Sequence, residues 1–169
     1  MSKENVLIIS FVGIVSLLVI VGGAVLVSKT KPRELDTGGS ARAEILDEKI
    51  HDWGQIDIEG GNVEKVFRIR NNGDSDLEVT NVKTSCMCTE AQLSISGQNS
   101  PVFGMHTISG WVGSIKPGET AEVRVVFDPL FHGPQGTGPI TRLVSLNTND
   151  VNNRTVELRL MGNVVRTEN

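Results

Sequence analysis

The stretch Ala121-Glu122-Val123-Arg124-Val125-Val126-Phe127 decides the fold. Ala121, Val123, Val125 and Phe127 occupy alternate positions, with Glu122 and Arg124 between them. This is the period-two pattern of a strand with one packed and one wet face. A helix would need its apolar residues three or four positions apart. Just upstream, Lys116-Pro117-Gly118-Glu119 predicts a turn. Towards the C-terminus, Val156, Leu158, Leu160 and Val164 alternate with Glu157, Arg159 and Asn163, and Gly162 keeps the inward register, so a closing strand is expected. Towards the N-terminus, Val63 to Ile69 carries Phe67 and Ile69 on one face. There Asn71-Asn72-Gly73-Asp74 predicts a hairpin-like turn before Leu77 to Val82 resumes the strand. Leu143 to Leu146 supplies a further strand and Asn147-Thr148-Asn149-Asp150 leads into a third turn.

About seven strands result, with no convincing helix-period stretch and no alternation of strand with helix. That pattern predicts an all-β fold: an antiparallel, immunoglobulin-like β-sandwich over residues 44–164, with a small barrel as the alternative. A chain of 169 residues holds one ordinary domain of this kind. The net charge of −4, the 4% aromatic content and the absence of Tyr remove the basic patch and stacking platform that nucleic-acid binding needs.

The apolar residues are unevenly placed. From Val6 to Val27 no charged side chain occurs, and Ser10 and Ser16 are the clearly polar positions. At about 1.5 Å per residue this run reaches roughly 33 Å, enough for a hydrocarbon core of about 30 Å. One transmembrane helix is therefore expected at residues 6–27, after a stub at 1–5. A cleaved signal peptide is the competing reading, since Gly22 and Ala24 form a small-x-small pattern. Residues 28–43, with Pro32 and Gly38-Gly39, read as a flexible linker, and 165–169 as a tail. Lys29, Lys31 and Arg33 outnumber Lys3, which by the positive-inside rule favours a cytoplasmic domain. Long polar domains nonetheless cross largely regardless of flanking charge, and the expectation is a signal anchor: a single-pass membrane protein with its C-terminal domain extracytoplasmic.

Several phrases occur together and in order: Trp53-Gly54-Gln55-Ile56, Phe67-Arg68-Ile69-Arg70-Asn71-Asn72-Gly73, Val82-Lys83-Thr84-Ser85-Cys86-Met87-Cys88-Thr89, Lys116-Pro117-Gly118-Glu119 and Phe127-Asp128-Pro129. In these the chain resembles the bacterial domain of unknown function 1573 family over about residues 44–164. The resemblance implies an immunoglobulin-like sandwich similar to the Hydin and major sperm protein modules, exported or membrane-anchored in the bacterial envelope. Met87 stands where that family often has glycine, and residues 96–114 and 130–139 read as extra loop.

Cys86-Met87-Cys88 is the one concentration of soft donors, and Met105-His106 lies in a glycine-containing loop that can fold back towards it. Thiolate and thioether ligands favour Cu(I), so a copper site of Cys86, Cys88, Met105 and His106, with Met87 as a weaker donor, is one reading. In a straight strand the two cysteines would stand roughly 6–7 Å apart, so two thiolates on one metal need a bend. Small buried residues without chemistry are a second reading of the cysteines, and a disulfide or thiol-exchange pair a third. His132 falls in a shaped surface turn that lacks the ending of a phosphate-binding loop, and His51 reads as a fold-edge residue. No hydrolase elbow, zinc-protease helix or paired-carboxylate motif occurs. The expected function is a membrane-anchored binding or scaffolding module that engages an envelope protein and is not an enzyme. Cu(I) handling and thiol redox chemistry stand as the alternatives.

Overall fold

The computed structural model describes residues 14–16, which are helical, and residues 40–167. The chain divides into two units, Met1–Glu34 and Leu35–Asn169, and the strands belong to the second. The expected membrane span at residues 6–27 lies, but for three residues, outside the described ones. Among the described residues no helix is long and apolar enough to cross a membrane.

Among the described residues ten strands follow in order: β1 (Ala43–Ile45), β2 (Ile50–Asp57), β3 (Val63–Asn71), β4 (Leu77–Thr84), β5 (Thr89–Ile95), β6 (Gln98–Asn99), β7 (Gly113–Ile115), β8 (Thr120–Phe127), β9 (Gly138–Thr148) and β10 (Thr155–Val165). They form two five-stranded sheets, β1-β3-β8-β5-β6 and β2-β10-β9-β4-β7. The fold is thus an all-β two-sheet sandwich, with more strands than expected from the sequence. Three of the additional pieces, β1, β6 and β7, have two or three residues each, too few to print an alternation. The sheets are also not purely antiparallel, because β2 runs parallel to β10, pairing Ile50 with Arg159 and Asp57 with Val165. These strands stand at opposite ends of the domain, and no short turn dictates their relative direction.

The inward positions read from the alternation are the core. Phe67, Ile69, Ala121, Val123 and Val125 of one sheet face Leu77, Val79, Val144, Leu146, Leu158 and Leu160 of the other, all with essentially no exposed surface. Burying each such Leu, Val or Phe side chain contributes about 1.5–3 kcal/mol. Gly162 does hold the inward register: a Cβ there would stand 2.7 Å from Ile56 Cδ1, so a larger residue would have to displace that side chain.

The turn at Asn71-Asn72-Gly73-Asp74 differs from its reading as a hairpin, because β3 and β4 lie in different sheets. The chain crosses the core there. It crosses again through Lys116-Pro117-Gly118-Glu119 between β7 and β8. Asn71, fully buried, joins both crossings: its Nδ2 donates to the Ser75 and Ile115 carbonyls, its Oδ1 accepts from Gly73 N–H, and its backbone exchanges bonds with Gly118 and Glu119.

The β9–β10 turn holds β1 through Asp150, which is 1% exposed. Burial opposes ionisation of its carboxyl, but hydrogen bonds from Asn153 Nδ2 and from the Ala43 and Asn152 N–H groups, with the Arg42 charge nearby, outweigh it and hold the group below its ordinary value. A carboxylate lowered on folding stabilises the native state above its unfolded value near 4, and that contribution is lost as pH falls through the lower folded value. Asp150→Asn should therefore destabilise the protein by about 1–2 kcal/mol at neutral pH, with the deficit shrinking in acid below about pH 4. Urea midpoints across pH check this, and a deficit independent of pH would be at odds with it.

Candidate functional site

The Cys-x-Cys segment is the corner at which the backbone leaves β4 in one sheet and enters β5 in the other. Local hydrogen bonds define the bend. Ser85 N–H donates to the Leu143 carbonyl and Ser85 Oγ accepts from Leu143 N–H, both at 2.9 Å. The Cys86 carbonyl accepts from Thr84 Oγ1 at 3.0 Å and from Thr89 N–H at 3.2 Å. The bend brings the two cysteine Cα atoms to 5.3 Å, and a Cys86–Cys88 disulfide closes across Met87. An extended strand would hold them farther apart.

The two sulfurs have different surroundings. Cys88 is buried, 3% exposed, on an apolar bed of Ile56, Ile58, Phe127 and Val164, whereas Cys86 is half-buried at its margin. His132 Nε2 lies 3.7 Å from Cys86 Sγ, and Arg142 Nε donates to Cys88 Sγ at 3.1 Å.

The loop after β8 delivers the imidazole. Pairing of β5 with β8 sets Thr89 opposite Phe127, and one residue further Asp128 N–H donates to the Cys88 carbonyl at 3.0 Å. Asp128 Oδ1 then accepts from Leu130 N–H, and Gly133, at φ 79°, turns its N–H back to the Leu130 carbonyl. That left-handed conformation suits glycine. Arg166 ties the far side of the loop through the Pro134 carbonyl, and Phe131 sets its ring edge-on to His132 at 5.2 Å.

Arg142 comes from β9, where it pairs with the core-facing Leu160. Its guanidinium lies 5.3 Å from the Phe127 ring centroid, and Phe127 in turn stacks on Trp53. Burial lowers the Arg142 pKa from its ordinary value, and no carboxylate among the described residues forms an ion pair with it. A partly buried cation without a carboxylate therefore faces the Cys88 sulfur. Any negative charge that appears on that sulfur is stabilised.

Of the donors read from the sequence, Cys86 and Cys88 come together, and Met87 projects from the corner 57% exposed. Met105 and His106 lie exposed between β6 and β7. Among the described residues the His, Cys and carboxylate donors that converge are Cys86, Cys88 and His132, whose ligand atoms all lie within 4.8 Å of one another; His106 is not in the group. His51 meets Trp53 edge-on, and burial, helped by the Lys65 charge and opposed by Asp52, lowers its pKa. Sequence reading passed over Arg142, yet the signal was present: Ile140, Arg142, Val144 and Leu146 keep one parity, which sets an arginine on a core-facing row.

Fold and site together define a two-sheet β-sandwich with a Cys-x-Cys disulfide at one sheet-to-sheet corner. Residues 45–99 match the family model described as protein of unknown function (DUF1573), a stretch that includes both cysteines and stops short of His132 and Arg142. No curated protein matches the chain at a significant level. Among solved structures, a protein of unknown function from Porphyromonas gingivalis W83 aligns with TM-score 0.57 and 20% identity over 76% of this chain and 49% of its own. This chain thus spans about half that protein's length. A family 123 glycoside hydrolase from Clostridium perfringens aligns with TM-score 0.51 and 9% identity, over 76% of this chain and 27% of its own. The likeness to both is one of fold. The ASH/PapD-like domain 7 of human CEP192 aligns with TM-score 0.48 and 16% identity, over 82% of this chain and 94% of its own.

Replacing Arg142 by Met keeps an apolar stem over Phe127 and removes the charge. A charge-assisted hydrogen bond is worth about 1.5–3 kcal/mol, and loss of even the lower figure slows expulsion of the Cys88 thiolate by about tenfold. Reduction of Arg142→Met by dithiothreitol should be slower by about that factor, read from the rate at which free thiols appear. An unchanged rate would remove Arg142 from the chemistry.

Proposed function

We propose that this domain carries out thiol–disulfide exchange at Cys86–Cys88, on a sandwich held outside the cytoplasm by an anchor at residues 6–27 and a linker at 28–43. The observation that carries the reading is the division of labour between the sulfurs: a half-buried Cys86 beside His132, and a buried Cys88 against Arg142. An incoming thiolate reaches Cys86 Sγ more readily. As the new sulfur–sulfur bond forms, the Cys86–Cys88 bond breaks and its electron pair leaves on Cys88, where the guanidinium stabilises it. A second substrate thiolate then attacks the substrate sulfur, the mixed disulfide breaks, and Cys86 departs as a thiolate beside His132. The substrate dithiol is oxidised and the pair is reduced; a disulfide partner of higher potential restores it.

Two further features favour this reading over a scaffold with purely structural cysteines. A disulfide that closes across one residue restrains the unfolded chain little, by roughly 1.6 kcal/mol in the loop-entropy account, against about 4.7 for a 100-residue loop. Its position is therefore poorly explained as a staple. Met87, Leu130 and Phe131, each 46–57% exposed, also adjoin Cys86 and His132 in the chain and offer apolar surface suited to a polypeptide thiol. An exported domain meets such thiols in a compartment where disulfides persist. A binding module is the coarser description of the same sandwich.

With oxidised glutathione, a reduced Cys88→Ser variant should accumulate a mixed disulfide on Cys86. The converse Cys86→Ser variant should form one on Cys88 at least about tenfold more slowly, since that sulfur is buried. Intact-protein mass spectrometry over time distinguishes them, and equal rates would contradict the assignment of Cys86 as the attacked sulfur.

A further inference from the structure

Resting on the proposal that the cysteine pair opens and closes, we infer that the reduced centre is a Cu(I) site of three donors: Cys86 Sγ, Cys88 Sγ and His132 Nε2. The three ligand atoms lie within 4.8 Å of one another. A three-coordinate ion with bonds of about 2.0–2.3 Å spaces its donors roughly 3.5–4 Å apart. Cys86 Sγ and His132 Nε2 already stand at 3.7 Å. Reduction supplies the rest: two electrons and two protons from a dithiol reductant, itself oxidised to a disulfide, break the Cys86–Cys88 bond and free the sulfurs to separate to that spacing. Binding of the ion then releases the thiol protons.

Charge and donor count select the metal. Arg142 is the charged side chain that contacts either sulfur among the described residues. Two thiolates, one Cu(I) and one guanidinium sum to zero, which suits a centre whose inner half is apolar. A divalent zinc ion in the same place leaves an excess positive charge beside Arg142 and a fourth coordination position unfilled. Soft thiolates with an imidazole are an accepted Cu(I) donor set. The imidazole of the site is that of His132, from the loop after β8, and His106 is not among the converging donors. Closing of the disulfide removes both thiolates, so the same bond that performs exchange also switches metal binding off.

The test uses the purified full-length chain, reduced and kept anaerobic, with its two free thiols counted by alkylation. Cu(I) is titrated against a chromophoric chelator, and the bound ion is examined by X-ray absorption. One Cu(I) per chain with two sulfur neighbours and one nitrogen neighbour is expected. His132→Ala, a change at an exposed residue that should leave the fold intact, should lose the nitrogen and weaken binding at least about tenfold, whereas His106→Ala and Met105→Ala should leave both readouts unchanged. A chain with two counted thiols that binds no Cu(I), or a His132→Ala variant with unaltered affinity and coordination, overturns the metal site and leaves thiol exchange standing. A chain that holds zinc against competing Cu(I) overturns the choice of ion. A disulfide that resists reduction overturns both proposals.

Discussion

Between Thr84 and Thr89 the backbone crosses from one sheet to the other, and the geometry of the site follows from that crossing. A strand continuing straight through residues 85–88 would point Cys86 and Cys88 along one face too far apart to bond. The corner instead folds them together, with the Cys86 carbonyl satisfied by Thr84 and Thr89 and the Ser85 backbone tied to Leu143. The same crossing sets the first residues of β5 against the last of β8. The Asp128 loop therefore departs directly over the sulfurs and carries His132 to Cys86. The position of the imidazole is thus a consequence of sheet pairing, not of any local sequence preference for a histidine at that place.

Electrostatics then separates the two cysteines. One core-facing row of β9 runs Ile140, Arg142, Val144, Leu146, and its arginine is half-buried beside Phe127. Placed over Phe127 with no carboxylate partner among the described residues, the guanidinium has the Cys88 sulfur as a hydrogen-bond neighbour. Such a cation is costly to bury, and it recovers the cost best when the sulfur beside it carries negative charge. In the proposed chemistry that charge appears as the Cys88 thiolate, either leaving in exchange or bound to a soft metal. The other sulfur, at the edge of the apolar bed, is left to meet partners.

Much of the sandwich was legible from alternation, and the exceptions have physical reasons. β3, β8 and β10 announce themselves because each is long and half-wet, so polarity follows parity. β1, β6 and β7 are too short for any period, and the parallel pairing of β2 with β10 brings together segments about a hundred residues apart that carry no shared local signal. Asn71-Asn72-Gly73-Asp74 has the composition of a hairpin turn, but turn chemistry states only that the chain bends; whether it bends within a sheet or between two depends on which strands pair. At the site, the cysteines and the need for a bend were readable. His132 carries little signal of its own because its loop, glycine- and proline-rich, has the composition of surface, and the Asp128–Cys88 ladder bond is what fixes where that loop lies. Met105-His106 stands out by composition alone, and composition does not say which loop reaches which corner.

The central claim is that Cys86–Cys88 is a working bond and not a staple, and its reduction potential tests that most directly. Equilibration of the full-length chain in glutathione buffers, with the thiols trapped and counted by mass, gives the midpoint. A short ring, a half-exposed sulfur and a cation waiting for the Cys88 thiolate predict a value above about −230 mV, in the range of catalytic disulfides. A midpoint below about −300 mV, typical of structural disulfides, would contradict the account.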